Sequence, residues 1–116
     1  MGAKILFADD DEDIVTLFSF RFKKEGYDCT VVSLGQEALD KAKTTHFDVI
    51  ILDRRLPDIP GDEIIKKLRE DEHTKITPII LISGATHGDE DIIADYFLMK
   101  PFEWNDLKKI IDELKK

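Results

Sequence analysis

Ile5-Leu6-Phe7-Ala8, Val49-Ile50-Ile51-Leu52 and Ile79-Ile80-Leu81-Ile82 are apolar at every position. A strand with no polar face has to be covered on both sides, which is the situation inside a parallel sheet between layers of helix. Strand-like runs fall at roughly 4–9, 28–32, 47–53, 78–83 and 96–99, with amphipathic segments between them. Segment 13–25 carries Ile14, Leu17, Phe18 and Phe22 at helical spacing and stops at Gly26. Glycine suits a helix C-terminus because it takes the left-handed conformation without steric cost. Segments 36–44 (Ala38, Leu39, Ala42), 62–70 (Ile64, Ile65, Leu68, with Gly61 leading in) and 103–115 (Leu107, Ile110, Ile111, Leu114) read as further helices. The last of them places Lys115 and Lys116 at its negative dipole end.

Strand and helix therefore alternate. That order predicts an α/β fold, a (βα)5 doubly wound parallel five-stranded sheet with right-handed crossovers, built as a three-layer sandwich. The flavodoxin-like strand order 2-1-3-4-5 is the usual solution. The helix between the fourth and fifth strands, fourth in chain order, is expected to be short. Gly84 and Gly88 leave room in segment 84–95 for about two turns, starting near Asp89.

The 116 residues argue for one domain spanning 1–116, with no effector domain in this chain. Apolar and charged fractions of 42% and 36% are those of a globular protein. A net charge of −8 argues against direct binding of nucleic acid or an anionic membrane. No stretch approaches the roughly 20 apolar residues of a membrane span. Met1-Gly2-Ala3-Lys4 runs directly into a strand, so no signal peptide is expected. Cys29, the single cysteine, has no internal disulfide partner and is expected to fill a strand position in a reducing cytoplasm.

The polar residues that close the apolar runs carry the chemistry. Asp9-Asp10 end the first run, Asp53 the third, Ser83 the fourth, and Lys100-Pro101 the fifth. In an open parallel sheet these C-terminal tips share the edge where ligands bind. Three carboxylates brought together repel, and a hard divalent cation with oxygen ligands relieves the repulsion. Within Asp9-Asp10-Asp11-Glu12-Asp13, a calcium loop is excluded because Ile14 and Phe20 stand at the glycine and terminal glutamate positions. Asp11, Glu12 and Asp13 instead suit an acidic helix N-terminus.

Together with Gly35-Gln36-Glu37-Ala38-Leu39, Leu52-Asp53-Arg54-Arg55-Leu56-Pro57-Asp58-Ile59-Pro60-Gly61, Pro78-Ile79-Ile80-Leu81-Ile82-Ser83-Gly84 and Lys100-Pro101-Phe102, these pieces resemble the receiver domain of two-component response regulators, similar to the single-domain chemotaxis type. The ordered set covers nearly the whole chain. The resemblance implies a phosphoacceptor switch rather than an enzyme acting on other substrates, with Asp53 taking a phosphoryl group from a histidine kinase or phosphotransfer protein. It implies a Mg²⁺ site from Asp10, Asp53 and the backbone carbonyl of Arg55, with Asp9 acting through water. It makes Ser83 and Lys100 readers of the phosphate and Phe97 an aromatic switch residue that, lacking a hydroxyl, can couple only by packing. Downstream, it implies an effector protein or domain and a phosphorylation-dependent dimer as partners.

Three features depart from the family pattern. Gly84 follows Ser83 where alanine is commoner, which loosens the loop. Arg55 and Ala85 occupy positions that tune attacking water, leaving the phosphoryl lifetime open. The stretch from Ser83 to Lys100 is roughly five residues short, more than one turn of helix. That shortening is the one feature in favour of the alternative, a pseudo-receiver that binds partners without phosphate, and the presence of Asp9, Asp10, Asp53, Ser83 and Lys100 counts against it. An aspartyl-phosphate hydrolase of the haloacid dehalogenase kind needs a carboxylate two residues after the nucleophile, where Arg55 stands. A flavodoxin needs a phosphate loop after the first strand, and a nucleotide site needs a Gly-rich lysine loop; neither is present.

Overall fold

The computed structural model describes residues 2–84 and 94–114. Along the chain run β1 (Lys4–Ala8), α1 (Glu12–Lys24), β2 (Asp28–Val32), α2 (Gly35–Thr44), β3 (Val49–Asp53), α3 (Gly61–Glu70), β4 (Ile79–Ser83), β5 (Tyr96–Met99) and α4 (Trp104–Leu114). The five strands pair in parallel in the order β2-β1-β3-β4-β5, as the alternating pattern predicts. Strand and helix limits differ from the sequence-based ones by one or two residues. Asp48, for example, precedes β3: its carboxylate accepts the Lys4 amide at 2.7 Å while its own amide donates to the Lys4 carbonyl. The short helix expected in 84–95 lies almost wholly outside the described residues, as do Lys115 and Lys116.

The all-apolar strands divide their side chains between two cores. Leu6, Ala8, Ile50, Leu52, Ile79 and Leu81 face α2 and α3, while Ile5, Phe7, Val49, Ile51, Ile80 and Ile82 face α1 and α4. Each fully buried side chain of this size stabilises the fold by about 1.5–3 kcal/mol relative to exposure. β5, an edge strand, is different. Tyr96 and Leu98 pack on the α1/α4 side, whereas Phe97 and Met99 are each 50% exposed.

Helix ends follow the chemistry of the sequence. Asp11 caps α1, its carboxylate accepting the amides of Asp13 and Ile14 at 3.0 and 3.3 Å. At the other end Gly26 takes φ +87°, Tyr27 N donates to Phe22 O and Gly26 N to Lys23 O, a complete Schellman motif. Cys29 is half-buried in β2, and burial pushes its thiol up to about 12.

Register positions the site. Ala8 lies opposite Leu52, so Asp9 and Asp53 leave neighbouring strands at one level. After β3 the chain folds back on itself: Gly61 N donates to Arg54 O at 2.8 Å and Arg55 bridges Pro60. A Cβ on Gly61 would lie 2.7 Å from Arg54 Cα, a backbone atom that cannot swing aside. Gly61→Ala is therefore expected to cost about 1–3 kcal/mol in urea unfolding. An unchanged midpoint would show that this turn can open freely.

Candidate functional site

Asp9, Asp53 and Ser83 are each brought to the strand tips by a buried strand, and Lys100 by the half-exposed β5. Asp9 is 1% exposed and Asp53 6%, while Asp10, one step further along the chain, faces solvent. One ligand oxygen from each of the three carboxylates lies within 4.8 Å of the others. Lys100 reaches across from the end of β5. Its ammonium donates to Asp53 Oδ2 at 3.1 Å and stands 3.3 Å from Asp9 Oδ2, an ion pair without hydrogen-bond geometry. The lysine's backbone is fixed as well, its amide donating to Ser83 O at 2.8 Å just before the cis Lys100–Pro101 bond. The other oxygens are held by the main chain: Asp11 N donates to Asp9 Oδ1 at 2.9 Å, and Arg55 N to Asp53 Oδ1 at 3.1 Å.

Electrostatics follow from this packing. The Asp9 carboxyl is pushed from its ordinary 3.8 up to about 6. Burial is the main cause; the Asp11 amide opposes it, Asp53 adds to it, and Lys100 partly offsets the rise. For Lys100, burial works to lower the pKa, and the neighbouring carboxylates, Asp53 foremost, outweigh it, so the ammonium is held. One half-buried cation thus pairs with two of the three clustered carboxylates, and Asp9 Oδ2 has no hydrogen bond. A hard divalent ion such as Mg²⁺ fits this donor set of clustered carboxylate oxygens.

The response regulator receiver domain model matches residues 5–112. The chain belongs to that family. It is 37% identical over 107 residues to the alkaline phosphatase synthesis transcriptional regulatory protein PhoP of Bacillus subtilis, covering 88% of this chain and 44% of PhoP. The receiver thus spans about half the length of the curated relatives it matches. Among solved structures, the chemotaxis response regulator CheY4 of Vibrio cholerae superposes with a TM-score of 0.91 at 32% identity, covering 98% of this chain and 99% of that one. The receiver domain of the sensor histidine kinase PA1611 of Pseudomonas aeruginosa, crystallised with a magnesium ion in its active-site cleft, gives 0.92 at 27% identity over the full length of both.

Of the residues picked from the sequence, the receiver brings Asp9, Asp10, Asp53 and Lys100 into one cluster, with the Arg55 amide on Asp53. Ser83 is buried beside it at the end of β4, and its carbonyl holds Lys100. Phe97 sits one strand over, level with Leu81 and half exposed.

Two contributors escaped the sequence reading. Asp58, in the loop after β3, accepts the first amides of α2. The available signal was negative: Leu34, at the N-cap of α2, has no side-chain acceptor, so those amides need a distant one. Arg69 bonds the carbonyls of Lys75 and Thr77 and the carboxylate of Asp95, tying α3 to the start of β5. Long-range side-chain to backbone contacts of this kind leave no spacing in a sequence.

The raised Asp9 carboxyl has a signed consequence. Its proton is bound more tightly in the folded state, so its stabilising contribution is full below pH 3.8 and is lost as pH rises through about 6. At neutral pH the ionised group opposes folding. Without metal, Asp9→Asn should gain about 1–3 kcal/mol at pH 7, a gain that shrinks as pH falls toward 4. Urea unfolding across that range checks it; a loss of stability at pH 7, or a difference independent of pH, contradicts it.

Proposed function

We propose that residues 1–116 act as a phosphorylatable receiver, in which Asp53 accepts a phosphoryl group from a phosphohistidine on a kinase or phosphotransfer protein. The observation that carries this reading is the contact of one ammonium, Lys100, with both Asp53 and Asp9 in a three-carboxylate cluster. An Asp53 oxygen attacks phosphorus, the bond from phosphorus to the donor imidazole breaks, and the imidazole leaves with its electron pair. Magnesium, when bound, supplies the positive charge that neutralises oxygens on the transferring group. Asp10, Asp53 and the Arg55 carbonyl would hold it, with Asp9 acting through water.

The chain's own groups do the rest. Arg55 N orients Asp53 through Oδ1. Lys100 compensates the buried carboxylates before transfer and takes a phosphoryl oxygen after it. Ser83 turns its hydroxyl to the same group, and Phe97 follows by packing. The receiver is a signalling module and not an enzyme acting on other substrates. Its place is the cytoplasm, where a kinase and a downstream effector meet it, and phosphorylation is coupled to pairing of two copies. Among the described residues, no helix is long and apolar enough to cross a membrane.

Intact mass after incubation with acetyl phosphate tests the reading. The expected result is a gain of one phosphate that is labile to hydroxylamine, present with Mg²⁺ and absent with EDTA. Asp53→Asn should abolish it; labelling that survives moves the acceptor elsewhere. No labelling of folded wild-type protein would support a pseudo-receiver that works through binding alone. Lys100→Ala should still take up phosphate but lose the backbone NMR response to it, and an unaltered response would remove Lys100 from the switch.

A further inference from the structure

The carboxylate of Asp58 is bonded to three backbone amides. Oδ1 accepts from Gly35 N at 2.7 Å and from Ile59 N at 3.0 Å, and Oδ2 accepts from Gln36 N at 2.9 Å. The Gln36 amide is the largest cause holding this carboxyl below the ordinary range. Leu34 cannot cap α2, and Glu37 folds back onto the amides of Ser33 and Leu34 at 3.1 and 3.2 Å. The next two donors, Gly35 and Gln36, are left to Asp58. Their positive dipole end gives a carboxylate a favourable seat. Gly35 lies close against this carboxylate, and a Cβ there would crowd Ile64 Cδ1 at 2.7 Å, Ile59 Cβ at 3.0 Å and Asp58 Oδ1 at 3.2 Å.

Asp58 stands near the tip of the loop that begins at the phosphoacceptor. The base of that loop is closed by the Gly61 to Arg54 bond and the Arg55–Pro60 bridge, and Leu56 anchors its side in the α2/α3 core. Arg55, whose amide holds Asp53, stands at that base, on the strand side of the bridge to Pro60. We infer that Asp58 is a positioning residue for the site: by pinning the loop tip to α2, it fixes the main chain of Arg55 against Asp53. The inference rests on the proposed magnesium reading, in which the Arg55 carbonyl is a ligand. Asp58 touches no reacting atom. It acts as an outer support that holds ligand-bearing backbone in place, and loss of such supports weakens metal binding.

A residue that merely caps α2 would change stability and leave the metal site alone. The test therefore compares wild type, Asp58→Ala, Asp58→Asn and Thr74→Ala by urea unfolding and by Mg²⁺ titration of ¹⁵N-labelled protein. Thr74 bonds Leu68 O at 2.6 Å at the opposite edge of the sheet, so its variant is a destabilised control. Asp58→Ala should bind Mg²⁺ about tenfold more weakly, with the Arg55 amide resonance already displaced before metal is added. Asp58→Asn keeps one carbonyl oxygen and should fall between, which also decides the matter if the alanine variant does not fold. Thr74→Ala should lose stability while binding Mg²⁺ within about twofold of wild type. Wild-type affinity and an unmoved Arg55 resonance in the folded Asp58 variants would overturn the inference alone. A wild-type protein that binds no Mg²⁺ would overturn the magnesium reading together with it.

Discussion

Three carboxylates are held at the end of a hydrophobic sheet with one ammonium between two of them, and most of the local structure follows from that imbalance. Asp9 and Asp53 are each the first residue past the register pair Ala8 and Leu52 or stand at the strand's last position, so the sheet gives them no freedom to separate. Their repulsion is contained by a backbone amide on each, from Asp11 and Arg55, and by Lys100. The result is a site assembled at some expense of stability, with Asp9 holding its proton up to about 6. Functional sites often carry such internal conflict, because a strained charge balance gives a ligand something to relieve.

The topology was legible because it rests on residue-by-residue hydrophobicity. Ile50, Ile51 and Leu52 cannot be solvated on either face, and that alone demands helices on both sides of β3. The site was legible for a related reason: in a parallel sheet the residue after an apolar run is delivered to a known edge. β5 was harder to read in detail. Its run Tyr96-Phe97-Leu98-Met99 looks as buried as the others, yet Phe97 and Met99 stay half exposed because β5 is the sheet's edge. Side-chain contacts such as Asp58 with α2, or Arg69 with Asp95, were invisible because they depend on loop geometry and not on periodicity.

The two sides of Lys100 are constrained in different ways. Downstream of the lysine, Phe102 stacks on Phe18 with ring centroids 5.1 Å apart, and Trp104 meets Phe22 edge-on at 5.0 Å. Phe22 in turn packs against Phe7 of β1, so this side of the lysine is anchored in an aromatic core that reaches the central sheet. Moving it would break several ring contacts, each worth about 0.5–1.5 kcal/mol beyond area burial. Upstream, β5 is four residues long, hydrogen-bonds to β4 alone among the described strands, and carries its half-exposed side chains on the α2/α3 side. The lysine is therefore held from downstream by packed rings, and from upstream by a strand whose start is tied to α3 through Arg69 and Asp95.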